Sequence, residues 1–190
     1  NAEAHNNLGN VYRELKQLDT AINCYEKALT INPNYVEAHY SLGLTFQDIG
    51  KLEDAVKSYE QVIAIKPDFA GMHNNLGNVY KELGELDASL KSYERAVAIQ
   101  PDFVEAIYSL GVIYQEQNLL DDALKSYEKV ISIKPSFAEV HNNLGTIFSE
   151  LKRLEDAEQS FRQTILLSPN YAEAHYNLGN TLKDLRKIDE

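Results

Sequence analysis

Four kinds of side chain in this chain could do chemistry, and each recurs at matching positions. Five histidines, His5, His39, His73, His141 and His175, could ligate a metal or carry a proton. Asn7, Asn75, Asn143 and Asn177 share one position, and Asn10, Asn78 and Asn180 share another, three residues on. An amide has two donors and an acceptor, so it can bond a peptide backbone without reading its sequence. Glu14, Asp48, Glu82, Glu116, Glu150 and Asp184 form a file of carboxylates. Like charges in file are costly unless water or a cation screens them, which favours basic or neutral ligands. Tyr40, Tyr108 and Tyr176 are either contact anchors for a ligand or packing between neighbouring helices.

Catalysis and metal binding are not expected from these groups. Zinc needs four ligands converging at about 2–2.3 Å. Histidines on separate repeats stand a helix spacing apart, so packing is their expected role. The lone thiol, Cys24, shares its position with Ser58, Ser92, Ser126 and Ser160, a slot for a small side chain. No phosphate loop, HExxH or paired-cysteine motif is present, and no nucleophile–base arrangement stands out. The expectation is a non-enzyme without a cofactor.

The elements that must position these residues repeat every 34 residues. Pro33, Pro67, Pro101, Pro135 and Pro169 keep that step, as do Gly9, Gly43, Gly77, Gly111, Gly145 and Gly179, each after a leucine. An aromatic follows at Tyr25, Tyr59, Tyr93, Tyr127 and Phe161, and a small residue at Ala21, Ala55, Ser89, Ala123 and Ala157. In the first unit Leu8, Tyr12 and Leu15 mark one helical face, and a second helix is expected over about 19–31. The residue before proline resists helical geometry, which ends that helix. Asn34, Asp68, Asp102, Ser136 and Asn170 read as N-caps, with Glu37, Glu105, Glu139 and Glu173 completing capping boxes. Glycine inside a helix costs about 1 kcal/mol against alanine. Six at one position imply a shared need, close approach of the partner helix.

The Leu-Gly, aromatic, Ala, aromatic, Pro pattern at this period resembles the tetratricopeptide repeat (TPR) family. The likeness spans the chain as one domain over 1–190, with repeats of approximately 2–33, 34–67, 68–101, 102–135 and 136–169 and a partial sixth over 170–190. It implies an all-α fold, a right-handed α-solenoid of 34-residue helix-turn-helix repeats, with the first helices lining a concave groove. Histidines and Ile107 stand where the family often has tryptophan. The asparagines Asn7, Asn75, Asn143 and Asn177 are similar to the inner asparagine ladder of the TPR region of O-linked N-acetylglucosamine transferase, with Ser41 and Ser109 interrupting it. Some family members clamp an acidic C-terminal peptide with cations. Here Asn6, Asn74 and Asn142 or tyrosines hold those positions, so no carboxylate clamp is expected.

Helices packed about 8–10 Å apart would give a groove on the order of 40–50 Å. It would hold roughly a dozen extended residues. The expected peptide-binding set is Asn7, Asn10, Tyr40, Asn75, Asn78, Tyr108, Asn143, Tyr176, Asn177 and Asn180. The net charge of -11 speaks against nucleic acid, and the lack of a long apolar run against a membrane span. One cysteine suits a reducing compartment, so a cytoplasmic location is expected. The main reading is a protein-interaction scaffold holding an extended peptide or a helix. A rival is the substrate-recognition arm of a larger enzyme such as a glycosyltransferase, favoured by the asparagine ladder and the abrupt end at Glu190. A third is end-to-end self-association, at the face where a second helix after Ile188 would pack.

Overall fold

The structure is a computed structural model that describes residues 1–185. All regular structure among these residues is helical, in pairs matching the 34-residue period. The chain divides after Pro101 into two compact units. The first contains α1 (Ala2–Glu14), α2 (Leu18–Ile31), α3 (Val36–Asp48), α4 (Leu52–Ile65), α5 (Ala70–Glu82) and α6 (Leu86–Ile99). The second contains α7 (Val104–Glu116), α8 (Leu120–Ile133), α9 (Ala138–Glu150), α10 (Leu154–Leu167) and α11 (Ala172–Asp184). The expected second helix after Ile188 lies outside the described residues.

Each core is a strip between successive helices. Ala21, Tyr25, Ala55, Tyr59, Ala123 and Tyr127 are wholly buried, and Tyr93 and Phe161 nearly so. The helix glycines serve these rings. A methyl group on Gly9 would stand 2.5 Å from the Tyr25 ring, and one on Gly77 2.7 Å from Tyr93. On Gly111 it would be 2.6 Å from Tyr127, and on Gly145 2.6 Å from Phe161. The need inferred from the repetition is thus an aromatic ring seated on bare backbone. Cys24 is buried at 6% exposure, and at the same position Ser58, Ser92, Ser126 and Ser160 each donate to the carbonyl four residues back at 2.8 Å. A small side chain that needs no outside partner suits this slot.

The capping expectation is not met. The residues before α3, α5, α7, α9 and α11 are Tyr35, Phe69, Phe103, Phe137 and Tyr171, and none makes a side-chain cap. Asn34, Ser136 and Asn170 instead follow proline inside a tight turn. That turn is closed by Tyr35 N–H to Asn32 O at 3.1 Å, Phe137 N–H to Lys134 O at 3.2 Å and Tyr171 N–H to Ser168 O at 3.1 Å. Proline's fixed φ suits the second place of such a turn, which pushes each helix start one residue later. The acids are used differently: Glu139 accepts from the Tyr108 hydroxyl at 2.6 Å and Glu173 from Asn142 Nδ2 at 3.1 Å. Among the helices of the described residues, α1 alone is side-chain capped, by Asn1 Oδ1 accepting from Glu3 N–H at 3.0 Å.

The turn inside each pair needs a left-handed residue. Gly50 (φ 73°) and Gly84 (φ 77°) supply it, while Lys16, Asn118 and Lys152 hold the same position at φ 59–60°. For a residue with a Cβ this conformation costs about 1–2 kcal/mol. Lys152→Gly should therefore stabilise the protein by about 0.5–1 kcal/mol, after glycine's larger unfolded-state entropy is counted. A higher urea midpoint at unchanged slope is the readout.

Candidate peptide-binding faces

Of the first helices one repeat apart, α1 touches α3 and α9 touches α11. The structure puts all ten expected residues on first helices. Asn7, Asn10, Tyr40, Asn75 and Asn78 lie in the first unit, and Tyr108, Asn143, Tyr176, Asn177 and Asn180 in the second.

Several of these amides are tied to the core tyrosines. The Tyr25 hydroxyl donates to Asn10 Oδ1 at 2.9 Å, and the Tyr93 hydroxyl to Asn78 Oδ1 at 2.7 Å. Ser41 Oγ adds a weaker bond to Asn10 Oδ1 at 3.3 Å. Even repeats solve the same problem elsewhere. Their position 10 equivalents are Leu44 and Val112, and the acceptor moves one turn on to Gln47 for Tyr59 and to Gln115 for Tyr127, the latter at 3.0 Å. Asn143 Nδ2 donates to the Tyr127 hydroxyl at 3.2 Å, completing a chain from Asn143 through Tyr127 to Gln115. A buried hydroxyl left without a partner would cost about 1–3 kcal/mol, so the swap of acceptor position is enforced by the core. Where Phe161 replaces tyrosine, Thr146 and Ser149 stand at the two acceptor positions.

These bonds leave a definite pattern. Asn10 and Asn78 have their carbonyl oxygens occupied, so each turns its NH2 outward as donor. Asn143 spends a donor inward and keeps its carbonyl. Asn7 is exposed and Asn75 half-buried, and neither side chain makes a hydrogen bond among the described residues. Asn10, Asn78 and Asn143, expected as peptide-binding residues, thus also serve the core by bonding its tyrosines.

The tyrosines divide. Tyr40 leans on Tyr59, ring centres 6.3 Å apart. Tyr108 sits 6.0 Å from Tyr127 and 5.2 Å from Phe137, with its hydroxyl on Glu139. Both pack between neighbouring helices, whereas Tyr176 is 71% exposed. At this same position in odd repeats stand Asn6, Asn74 and Asn142, left out of the expected set. They are buried at 4%, 8% and 2% exposure, and the Oδ1 of each has no hydrogen-bond partner. Their alternation with tyrosine was the sequence signal for them, but burial of their amides was not visible there.

Other groups are accounted for inside the fold. Nε2 of His39, His73, His141 and His175 lies 2.8–2.9 Å from the carbonyl oxygen of the proline six residues earlier. Each histidine thus ties its helix to the turn before it. In the carboxylate file, Asp48 pairs with Arg13 of the preceding repeat at 2.8 Å. Both partners are about one-third exposed, so the pair adds little stability, yet it offsets one charge of the file.

Burial raises the hydroxyl pKa of Tyr25, Tyr59, Tyr108 and Tyr127 above the ordinary value, and hydrogen-bonded Glu139 adds to the effect at Tyr108. The neutral phenol is thus favoured in the folded state. Above the ordinary value of about 10 the unfolded chain loses these protons first. Stability is complete below that pH and is lost as pH rises through the raised values. Alkaline titration should show the share of tyrosinate absorbance that belongs to these four residues appearing together with loss of helical circular dichroism, rather than before it.

Helix pairs that bury one another's aromatic rings, with polar first-helix faces left over, define a helical-repeat scaffold. The chain belongs to the TPR family: the TPR repeat model matches residues 9–50, 46–84, 77–118, 113–152 and 145–185. It is similar to the crystal structure of MamA, at 30% identity and a TM-score of 0.80, covering 87% of this chain and 96% of that one. YrrB, a TPR protein with an unusual peptide-binding site, is 22% identical at a TM-score of 0.79, covering 93% and 91%. A tetratricopeptide repeat protein from Parabacteroides merdae shares 18% identity at a TM-score of 0.84, covering 98% and 74%. Among curated proteins none matches the chain significantly. No helix among the described residues is long and apolar enough to cross a membrane.

Proposed function

We propose that the protein is an interaction scaffold whose first-helix faces hold an extended peptide by its backbone. The observation that carries this reading is the set of amides with unused hydrogen-bonding capacity on those faces. Asn10 and Asn78 present donors and Asn143 an acceptor, each held in orientation by a tyrosine hydroxyl, and the side chains of Asn7 and Asn75 make no hydrogen bond among the described residues. A peptide backbone offers both complements, and side chains already held lose less entropy on binding. YrrB, a TPR protein of the same fold, has a peptide-binding site, which supports a peptide as the ligand class. The ladder of Asn7, Asn75, Asn143 and Asn177 extends the same reading towards the asparagine-lined TPR region of the glycosyltransferase named above. The exposed carboxylate file favours basic or neutral peptides over acidic ones.

Asn7 and Asn75 give the test, because the fold does not bond their side chains. Replacing both by alanine should leave stability within about 0.5 kcal/mol. It should weaken binding of selected library peptides by about tenfold, one net hydrogen bond at each site. Unchanged affinity across every selected peptide would remove these amides from the binding face.

A further inference from the structure

The fifth repeat departs from its neighbours at three positions that meet in space. Phe161 stands where four other repeats have tyrosine, and Thr146 and Ser149 stand where a longer acceptor side chain would meet the hydroxyl. All three substitutions shorten the side chain. Together they border a cavity of about 200 Å³ between α9, α10 and α11. The Ser149 hydroxyl is buried there without a hydrogen-bond partner.

We infer that this cavity is a pocket for a lysine or arginine side chain of the bound peptide. The inference rests on the groove reading and names one side chain that the groove selects. Glu150 and Asp184 both line the cavity, both are exposed, and neither has an ion-pair partner among the described residues. An acidic group entering here would face two carboxylates. A neutral apolar group would bring nothing to them. A cation answers both carboxylates, and its hydrogens can also meet the Asn177 amide on the same wall. Leu154 and Phe161 supply apolar surface for the methylene stem. In the second repeat the tyrosine and its glutamine acceptor, Tyr59 with Gln47, bond each other, as do Tyr127 and Gln115 in the fourth. The pocket is thus a local feature of the fifth repeat.

The test follows amide resonances of isotope-labelled protein as N-acetyl-lysine methylamide, or its uncharged norleucine counterpart, is added. The lysine compound should shift resonances within 146–150 and 177–184, and the norleucine compound should not. Phe161→Tyr with Ser149→Gln rebuilds the arrangement of the fourth repeat and should abolish the shift while melting no lower than wild type. Asp184→Asn, at an exposed position, should weaken binding about tenfold by removing one charge, and it carries the comparison if the double variant folds poorly. Equal response to the two compounds, no response to either, or a wild-type response in the variants overturns the pocket. Selection from a random peptide library separates this from the groove itself. A lysine-specific shift with no peptide selected would leave the pocket standing and remove the groove. Selected peptides with no lysine or arginine preference would do the reverse.

Discussion

Gly111→Ala should destabilise the second unit by about 1–3 kcal/mol, although alanine is the better helix former. The new methyl group would stand 2.6 Å from the Tyr127 ring, a distance that real carbon contacts do not reach. The ring cannot retreat easily, because its hydroxyl bonds Gln115 and Asn143 and its body is wholly buried. The same substitution at Gly179 should act in the opposite direction. Nothing lies within 4 Å of a methyl group there among the described residues, so Gly179→Ala should gain up to about 1 kcal/mol of helix propensity. Urea unfolding of the two variants is decisive. Destabilisation of similar size at both sites would mean that the ring contact is not what keeps glycine at this position.

The largest loss is expected from Tyr127→Ala, about 3–5 kcal/mol. It opens a cavity in the strip of core between α7, α8 and α9 and leaves Gln115 and Asn143 without their shared partner. Tyr127→Phe separates the two contributions. It keeps the ring on Gly111 and removes only the hydroxyl, so about 1–2 kcal/mol should be lost. In a repeat protein each unit of structure contacts only its neighbours, so damage should stay local. Hydrogen exchange should rise in α7–α9 in the alanine variant, while α1–α4 keep their protection. Uniform loss of protection along the chain would show cooperativity beyond neighbouring repeats.

The odd–even alternation connects these effects to the candidate binding faces. A core tyrosine must satisfy its hydroxyl, and the partner it finds is a side chain of the first helix. Stability and the presentation of amides on that face are therefore coupled through one atom. Asn10 and Asn78 cannot be altered for binding without also disturbing Tyr25 and Tyr93, whereas Asn7 and Asn75 can.

The period, the helix pairs and the role of the glycines could be read from residue types alone. Repetition makes a weak signal strong: a glycine tolerated once is ambiguous, but Gly9 and its five successors at one spacing require a common cause. The helix ends were also close, because proline and the turn residues act within a few positions of themselves. What depended on three dimensions was the choice among partners. Asn34 and its equivalents could cap a helix or sit in a turn, and only the bond from Tyr35 N–H to Asn32 O decides between them. Glu139 and Glu173 read as caps by spacing, yet bond groups from the repeat before. Asn6, Asn74 and Asn142 look as polar as their neighbours, and burial alone distinguishes them. Local preferences depend on adjacent residues and so are written in order along the chain. Hydrogen-bond partners and voids depend on which side chains packing brings together, and those lie 12 to 35 residues apart here.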